Sequence, residues 1–138
     1  MKRIIALLTV FLLFSTSCTK NEAKLSDFVV GNWKSQNITL SGMPLGYFNV
    51  TINENTYVLI FTLSDGSQSI TCPKTGYTVD NGKNQITIDE PQFDPQTPVS
   101  GTTTFAVSNW IPGGNKMTWT PVDTTGNNPP PTINWTRQ

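Results

Sequence analysis

Few side chains in this 138-residue chain could do chemistry, and their types narrow the choice at once. Histidine is absent, while acidic and basic residues number nine each. Proton relays through imidazole and metal sites built on it are thereby excluded. A pair of carboxylates for acid/base work would have to come from Asp65, Asp80, Asp89, Glu90, Asp94 or Asp123, most of them at turn-like sequences. Asp89, Glu90 and Asp94 cluster in one proline-bearing stretch, but their spacing matches no calcium loop. A solvated loop is the simpler reading. Cys72 lies in a strand-like segment with no imidazole to activate it, and it reads as a small buried hydrophobe. Were Cys18 unmodified, a Cys18–Cys72 bridge would be conceivable in an oxidising compartment. No catalytic residue, cofactor or metal is expected, and the chain is not expected to be an enzyme.

The surroundings of Cys18 suggest a different fate for it. Lys2 and Arg3 precede an eleven-residue run, Ile4 to Phe14, broken only by Thr9. That run is too short to cross about 30 Å of hydrocarbon as a stable helix. Small residues Ser15, Thr16 and Ser17 follow, so residues 1–17 read as a secretory signal peptide. The stretch resembles a bacterial lipoprotein signal, in which the cysteine after the cut is lipidated and becomes the new N-terminus. It departs from that pattern at Ser15, where a leucine-like residue is usual, and Ser15-x-Ser17 also suits the ordinary peptidase. The resemblance implies a palmitate-type anchor on Cys18 and attachment to a membrane. Thr19 stands where aspartate would mark inner-membrane retention. An outer-membrane lipoprotein of the cell envelope, periplasmic or surface-facing, is the expectation. Residues 18–27 are then the lipidated cysteine and a polar tether, and Cys72 is left alone.

Removing 17 residues leaves 121, enough for one domain, and takes two cations with it, leaving seven basic against nine acidic residues. With no basic run, nucleic acid is not an expected partner. Thr, Asn, Gly and Pro are abundant and turn dipeptides recur about every ten residues, as in an all-β domain of short strands. Ser26 and Asp27 could cap one helical turn. Trp33 to Leu40 reads as a strand, Gly42 to Gly46 as a loop, and Tyr47 to Ile52 as an alternating strand.

Two hairpin signals test the register. Pairing across Asp65-Gly66 sets Leu63 opposite Gln68, Phe61 opposite Ile70 and Leu59 opposite Cys72. A four-residue loop at 53–56 sets Val50 opposite Leu59 and Phe48 opposite Phe61, so three strands agree on one apolar face. Pairing across Asn81-Gly82 sets Tyr77 opposite Ile86 and Val79 opposite Asn84. Glu90 to Ser100, with three prolines, is a long loop carrying Phe93. The next pair, Thr102 to Ile111 and Lys116 to Val122, resists. A two-residue turn faces Trp110 with Met117 but puts Phe105 and Val107 on the opposite face from Trp119; a bulge or an odd-length loop would reconcile them. Asp123 to Pro131 is a proline-stiffened loop, and Thr132 to Arg137 closes the chain. Eight or nine sequential antiparallel strands favour an up-and-down β-barrel of about eight strands, because closure removes exposed edges. A two-sheet sandwich is the runner-up.

Gly31-Asn32-Trp33 resembles the Gly-x-Trp motif of lipocalins, and residues 28–138 are similar to the small lipocalin-like domain lipoproteins of Gram-negative bacteria. Tyr77 to Gly82 running into Gln85 to Ile88 carries the same rhythm. The later Thr-Asp-Tyr motif and the C-terminal helix of long lipocalins are lacking. The resemblance implies that Trp33 plugs the closed end of a barrel and that Arg137 packs over its ring. The inner-face aromatics Phe48, Tyr57, Phe61 and Tyr77 could line an apolar pocket, with Phe93 and Trp110 near a mouth, or could fill the core. Two functions follow: binding a small hydrophobic ligand, or serving with a filled core as a protein- or glycan-interaction module of the envelope. Val58, Ile60, Trp110, Trp119 and Trp135 look too numerous for one small core, so some are expected in an exposed contact patch.

Overall fold

The computed structural model describes residues 22–92, 96, 101–125 and 130–138. A single turn of helix, α1 (Leu25–Val29), leads into ten strand segments. These are β1 (Gly31–Ser35), β2 (Ile38–Leu40), β3 (Met43–Ile52), β4 (Thr56–Leu63), β5 (Ser69–Thr71), β6 (Thr75–Asp80), β7 (Gln85–Asp89), β8 (Thr102–Ser108), β9 (Lys116–Pro121) and β10 (Ile133–Arg137). Both β1 and β2 pair with β3, and both β5 and β6 pair with β4, so each couple is one strand interrupted. Pro73 lies in the second interruption. At the first, the Gln36 amide N–H bonds the Asn134 carbonyl while its side chain bonds the Thr132 carbonyl and the Asn134 N–H. Every pairing is antiparallel, β1 joins β10, and β3 joins β4. The result is a closed, up-and-down β-barrel of eight strands, the lipocalin-like architecture. Closure leaves no long unpaired edge.

The alternating strands define two ends. Gly31, Ile52, Thr56, Asp80, Gln85, Ser108, Lys116 and Arg137 mark one, where α1 also lies. Leu40, Met43, Leu63, Ser69, Asp89, Thr102, Pro121 and Ile133 lead to the other. Around Asp65-Gly66 the register is the one expected: Phe61 faces Ile70, Val50 faces Leu59, and Phe48 faces Phe61.

Two local expectations change, and one left open is resolved in favour of an odd-length loop. The turn after β2 is Ser41-Gly42, with φ of 51° and 81°, the left-handed pair of a tight hairpin. Met43 to Gly46 is therefore strand, not loop, and β3 is ten residues long. At 81–84 the turn has four residues rather than two. The Asp80 carboxylate accepts the Lys83 N–H at 3.1 Å, and Asn84 takes φ 51°. Pairing shifts by two, to Tyr77 with Ile88 and Val79 with Ile86. An even shift keeps the same side chains inside. In the β8–β9 hairpin, Val107 faces Trp119 and Phe105 faces Pro121. Asn109, at φ 57°, ends β8 and makes the loop odd in length, which puts Phe105, Val107 and Trp119 on one face.

The interior is aromatic. Trp33, Trp119 and Trp135 are buried, with Trp119 tilted against Trp135 at 5.1 Å and against Phe105 at 5.5 Å. Trp119 and Trp135 are therefore not part of an exposed patch. Tilted rings interlock inside a small barrel where flat stacking would not fit. Val58, Ile60 and Trp110 are half-buried.

Candidate functional site

The two ends of the barrel are built differently. At the helix end, the Trp33 indole N–H donates to the Val29 carbonyl at 2.7 Å, tying β1 to α1. The Arg137 guanidinium lies 4.3 Å from the Trp33 ring centroid and 5.3 Å from that of Phe28. It donates to the carbonyls of Val30 (2.9 Å) and Phe28 (2.5 Å), which the short helix leaves unpaired. A Cβ on Gly31 would stand 2.7 Å from the Arg137 Nη1, so only glycine leaves room for the cation beside the indole. That is the physical content of Gly31-Asn32-Trp33. Leu25, Phe28 and Val29 close this end from below. Tyr77 is buried on β6, its hydroxyl donating to the Asn53 carbonyl.

At the other end no helix caps the barrel among the described residues. Along the inner wall formed by β1 to β5, exposure rises step by step. Trp33 and Val50 are buried, Leu59, Phe48, Phe61 and Leu63 are half-buried, and Ile70 is 50% exposed. Ile38 pairs with Gly46, and Gly46 with Leu63, so Ile38 belongs to the inner face; the register shifts after Ile38, and Leu40 lies at the rim of this end. Its partner Met43 is 67% exposed and Leu40 62%. Across the barrel Ile88 and Thr103, paired on β7 and β8, are half-buried as well. An inward-facing side chain in a closed barrel meets solvent only where the interior is open. Phe48 and Phe61 stack at 5.0 Å, and a Cβ on Gly46 would strike the Thr62 carbonyl and the Phe61 ring. Glycine there lets the Phe61 ring lie on the β3 backbone.

Polar groups inside are mostly spent. The Ser35 hydroxyl donates to the Gln36 carbonyl and accepts the Phe48 N–H, joining β1 to β3. The Tyr57 hydroxyl donates to the Asp89 carbonyl at 2.5 Å. Burial raises the Tyr57 pKa well above its ordinary value, with lesser contributions from Cys72 and the Asp89 and Glu90 carboxylates. Burial pushes the Cys72 thiol up to about 11. Such a thiol is a poor nucleophile. Trp135 Nε1–H is the exception: it is buried without an acceptor, a cost of about 1–3 kcal/mol.

Of the six aromatics suggested as ligand contacts, the five that are described do not converge. Phe48 and Phe61 share the open wall, Tyr57 and Tyr77 are buried and hydrogen-bonded, and Trp110 lies at the helix end against Phe28 at 5.3 Å. Phe93 and Cys18 lie outside the described residues, as do Asp94 and the signal segment. No group of three or more potential metal ligands occurs among the described residues, including Asp89 and Glu90. Sequence reasoning missed Leu40 and Met43, whose signal was the Ser-Gly pair between them. It also missed a cleft beside Trp110. Compared with protein-family models, curated proteins and solved structures, the chain matches none.

Proposed function

We propose that this chain is a non-enzymatic binding protein of the small lipocalin-like lipoprotein type, which takes an apolar small molecule into the open end of its barrel. One observation carries the reading: apolar exposure increases from buried Val50 through half-buried Phe48 and Phe61 to Ile70, 50% exposed, on a single inward-facing wall. Exposed apolar groups gathered at one place mark contact surfaces, and a concave apolar wall with few polar groups is the usual form of a small-molecule site. Leu45 and Val122 add exposed apolar groups at the same end. The expected occupant is an alkyl or aromatic body with little hydrogen-bonding capacity, because the wall offers few free donors or acceptors.

Anchorage belongs to the same proposal. Cys18 carries the acyl chain, residues 18–27 form the tether, and the protein resides at the outer membrane of the cell envelope. Cys18→Ser should move the protein from the detergent-rich to the aqueous phase in a phase-partition assay. An unchanged partition would remove the anchor.

Native mass spectrometry of the mature protein, with fatty acids and lysophospholipids as probes, tests the pocket. A one-to-one adduct weakened by Phe61→Ser and by Ile70→Lys supports it. With no adduct and no rise in melting temperature at saturating probe, the carrier reading fails. A protein- or glycan-interaction module with a filled core would then stand in its place. The buried aromatic layer of Trp33, Trp119 and Trp135 supports that second reading.

A further inference from the structure

At the closed end, on the opposite side of the plug from the apolar wall, lies a second concavity of about 400 Å³. It is lined by the aromatic rings of Phe28 and Trp110 and by Pro112, Gly113 and Gly114 of the β8–β9 loop. Lys24, Asp27 and Arg137 supply its charges. We propose that this cleft binds a neutral carbohydrate.

Local structure makes the cleft. Asn109, in the left-handed region, turns the chain out of β8 at Ser108 and lets Trp110 fold back onto Phe28. Phe28 is itself held under the Arg137 guanidinium and against Trp33, at 5.4 Å. Trp110 is thus a half-buried indole with a rigid backing. Gly113 has φ 73°, and nothing lies within 4 Å of where a Cβ would stand, so this part of the wall is bare backbone beside open space.

The chemistry of the lining selects the occupant. Among the described residues the one ion pair is Lys83 with Asp80, so Lys24, Asp27 and Arg137 have no ionic partner there. Arg137 gives two of its five N–H groups to the carbonyls of Phe28 and Val30, which leaves donors over. An anion would gain from Lys24 and Arg137 but meet Asp27; a cation would meet the reverse. An alkyl chain would desolvate three charges without compensation. A pyranose ring fits all of it. Its hydroxyls both donate and accept, so Asp27 can accept from one while Lys24 and Arg137 donate to others. Its C–H face is apolar and matches the indole face of Trp110. The volume lies at the small end of ligand sites, suited to one or two rings. This site does not depend on the carrier reading, since none of its residues lines the open end.

Titration of the mature protein with maltotriose, the N-acetylglucosamine trimer and a galacturonate trimer, followed by NMR of the indole N–H signals, tests the proposal. Expected is saturable movement of the Trp110 signal with at least one neutral trimer, at micromolar to millimolar affinity. Trp110→Ala should weaken that binding at least tenfold and Asp27→Asn several-fold, while Phe61→Ser leaves it unchanged. Asp27 is exposed, so its variant reports on binding even if Trp110→Ala disturbs α1. Movement of Trp110 by the galacturonate trimer alone, movement by none of the three, or binding that survives both closed-end variants overturns the proposal.

Discussion

The helix end and the open end use the same kinds of side chain for opposite purposes. At the helix end an aromatic ring is enclosed on every side: Trp33 is buried, bonded to Val29, covered by Arg137 and flanked by Phe28. At the open end Phe48 and Phe61 touch each other, yet each keeps part of its surface in water. The difference arises from what covers the strand ends. Five residues of helix and one long cation seal the first, whereas at the second no described helix caps the wall and Ile70, opposite Phe61, stays 50% exposed. A closed barrel buries the rings that are capped and leaves in water part of those that are not.

The contrast is broken most directly by truncating one ring at each end. Trp33→Ala should lose about 3–5 kcal/mol in urea unfolding, the usual cost of a large buried aromatic. Phe61→Ala should lose about 1–2 kcal/mol, because half-buried surface contributes less. Equal losses would mean that the two ends are packed alike. Arg137→Ala comes next, at about 2–3 kcal/mol, since it removes a cation–π contact and strips two carbonyls of their donors. Arg137→Lys should restore little of it, for an ammonium cannot serve both carbonyls while lying flat on the indole.

Alkaline titration sharpens the comparison within the core. Cys72, Tyr57 and Tyr77 all have their pKa raised by burial, which favours their neutral forms in the folded state. Their contribution is fully present below the ordinary thiol and phenol values and is lost as pH climbs through them. Urea midpoints should stay flat up to about pH 8.5, the ordinary thiol value, and fall above it. Cys72→Ala should remove the earliest part of that fall, between the ordinary thiol value and about 11. A midpoint independent of pH over that window would contradict the burial of all three. The smallest effect belongs to the rim: Leu40→Ser with Met43→Ser should change stability by less than about 0.5 kcal/mol. It should nonetheless lower the affinity for an apolar probe. Retained affinity would separate the exposed rim from the pocket.

Much of this architecture could be read from the chain. Asp65-Gly66 and the alternation of residues 47–63 were enough to place Phe48, Phe61 and Ile70 on one wall, because a two-residue turn leaves little freedom of register. Asn81-Gly82 misled by two residues: the Asp80 carboxylate captured the Lys83 N–H and lengthened the turn. Trp110 was out of reach for another reason. Its position depends on a left-handed Asn109 and on a docking surface, Phe28, some 80 residues earlier in the chain.

Sequence alone therefore determined the alternation of faces and favoured about eight strands closed into a barrel over a two-sheet sandwich, since these follow from local periodicity and turn chemistry. Only the tertiary structure decided which end is sealed. The same inward apolar residue is core or pocket wall according to what lies above it, and that covering comes from distant elements.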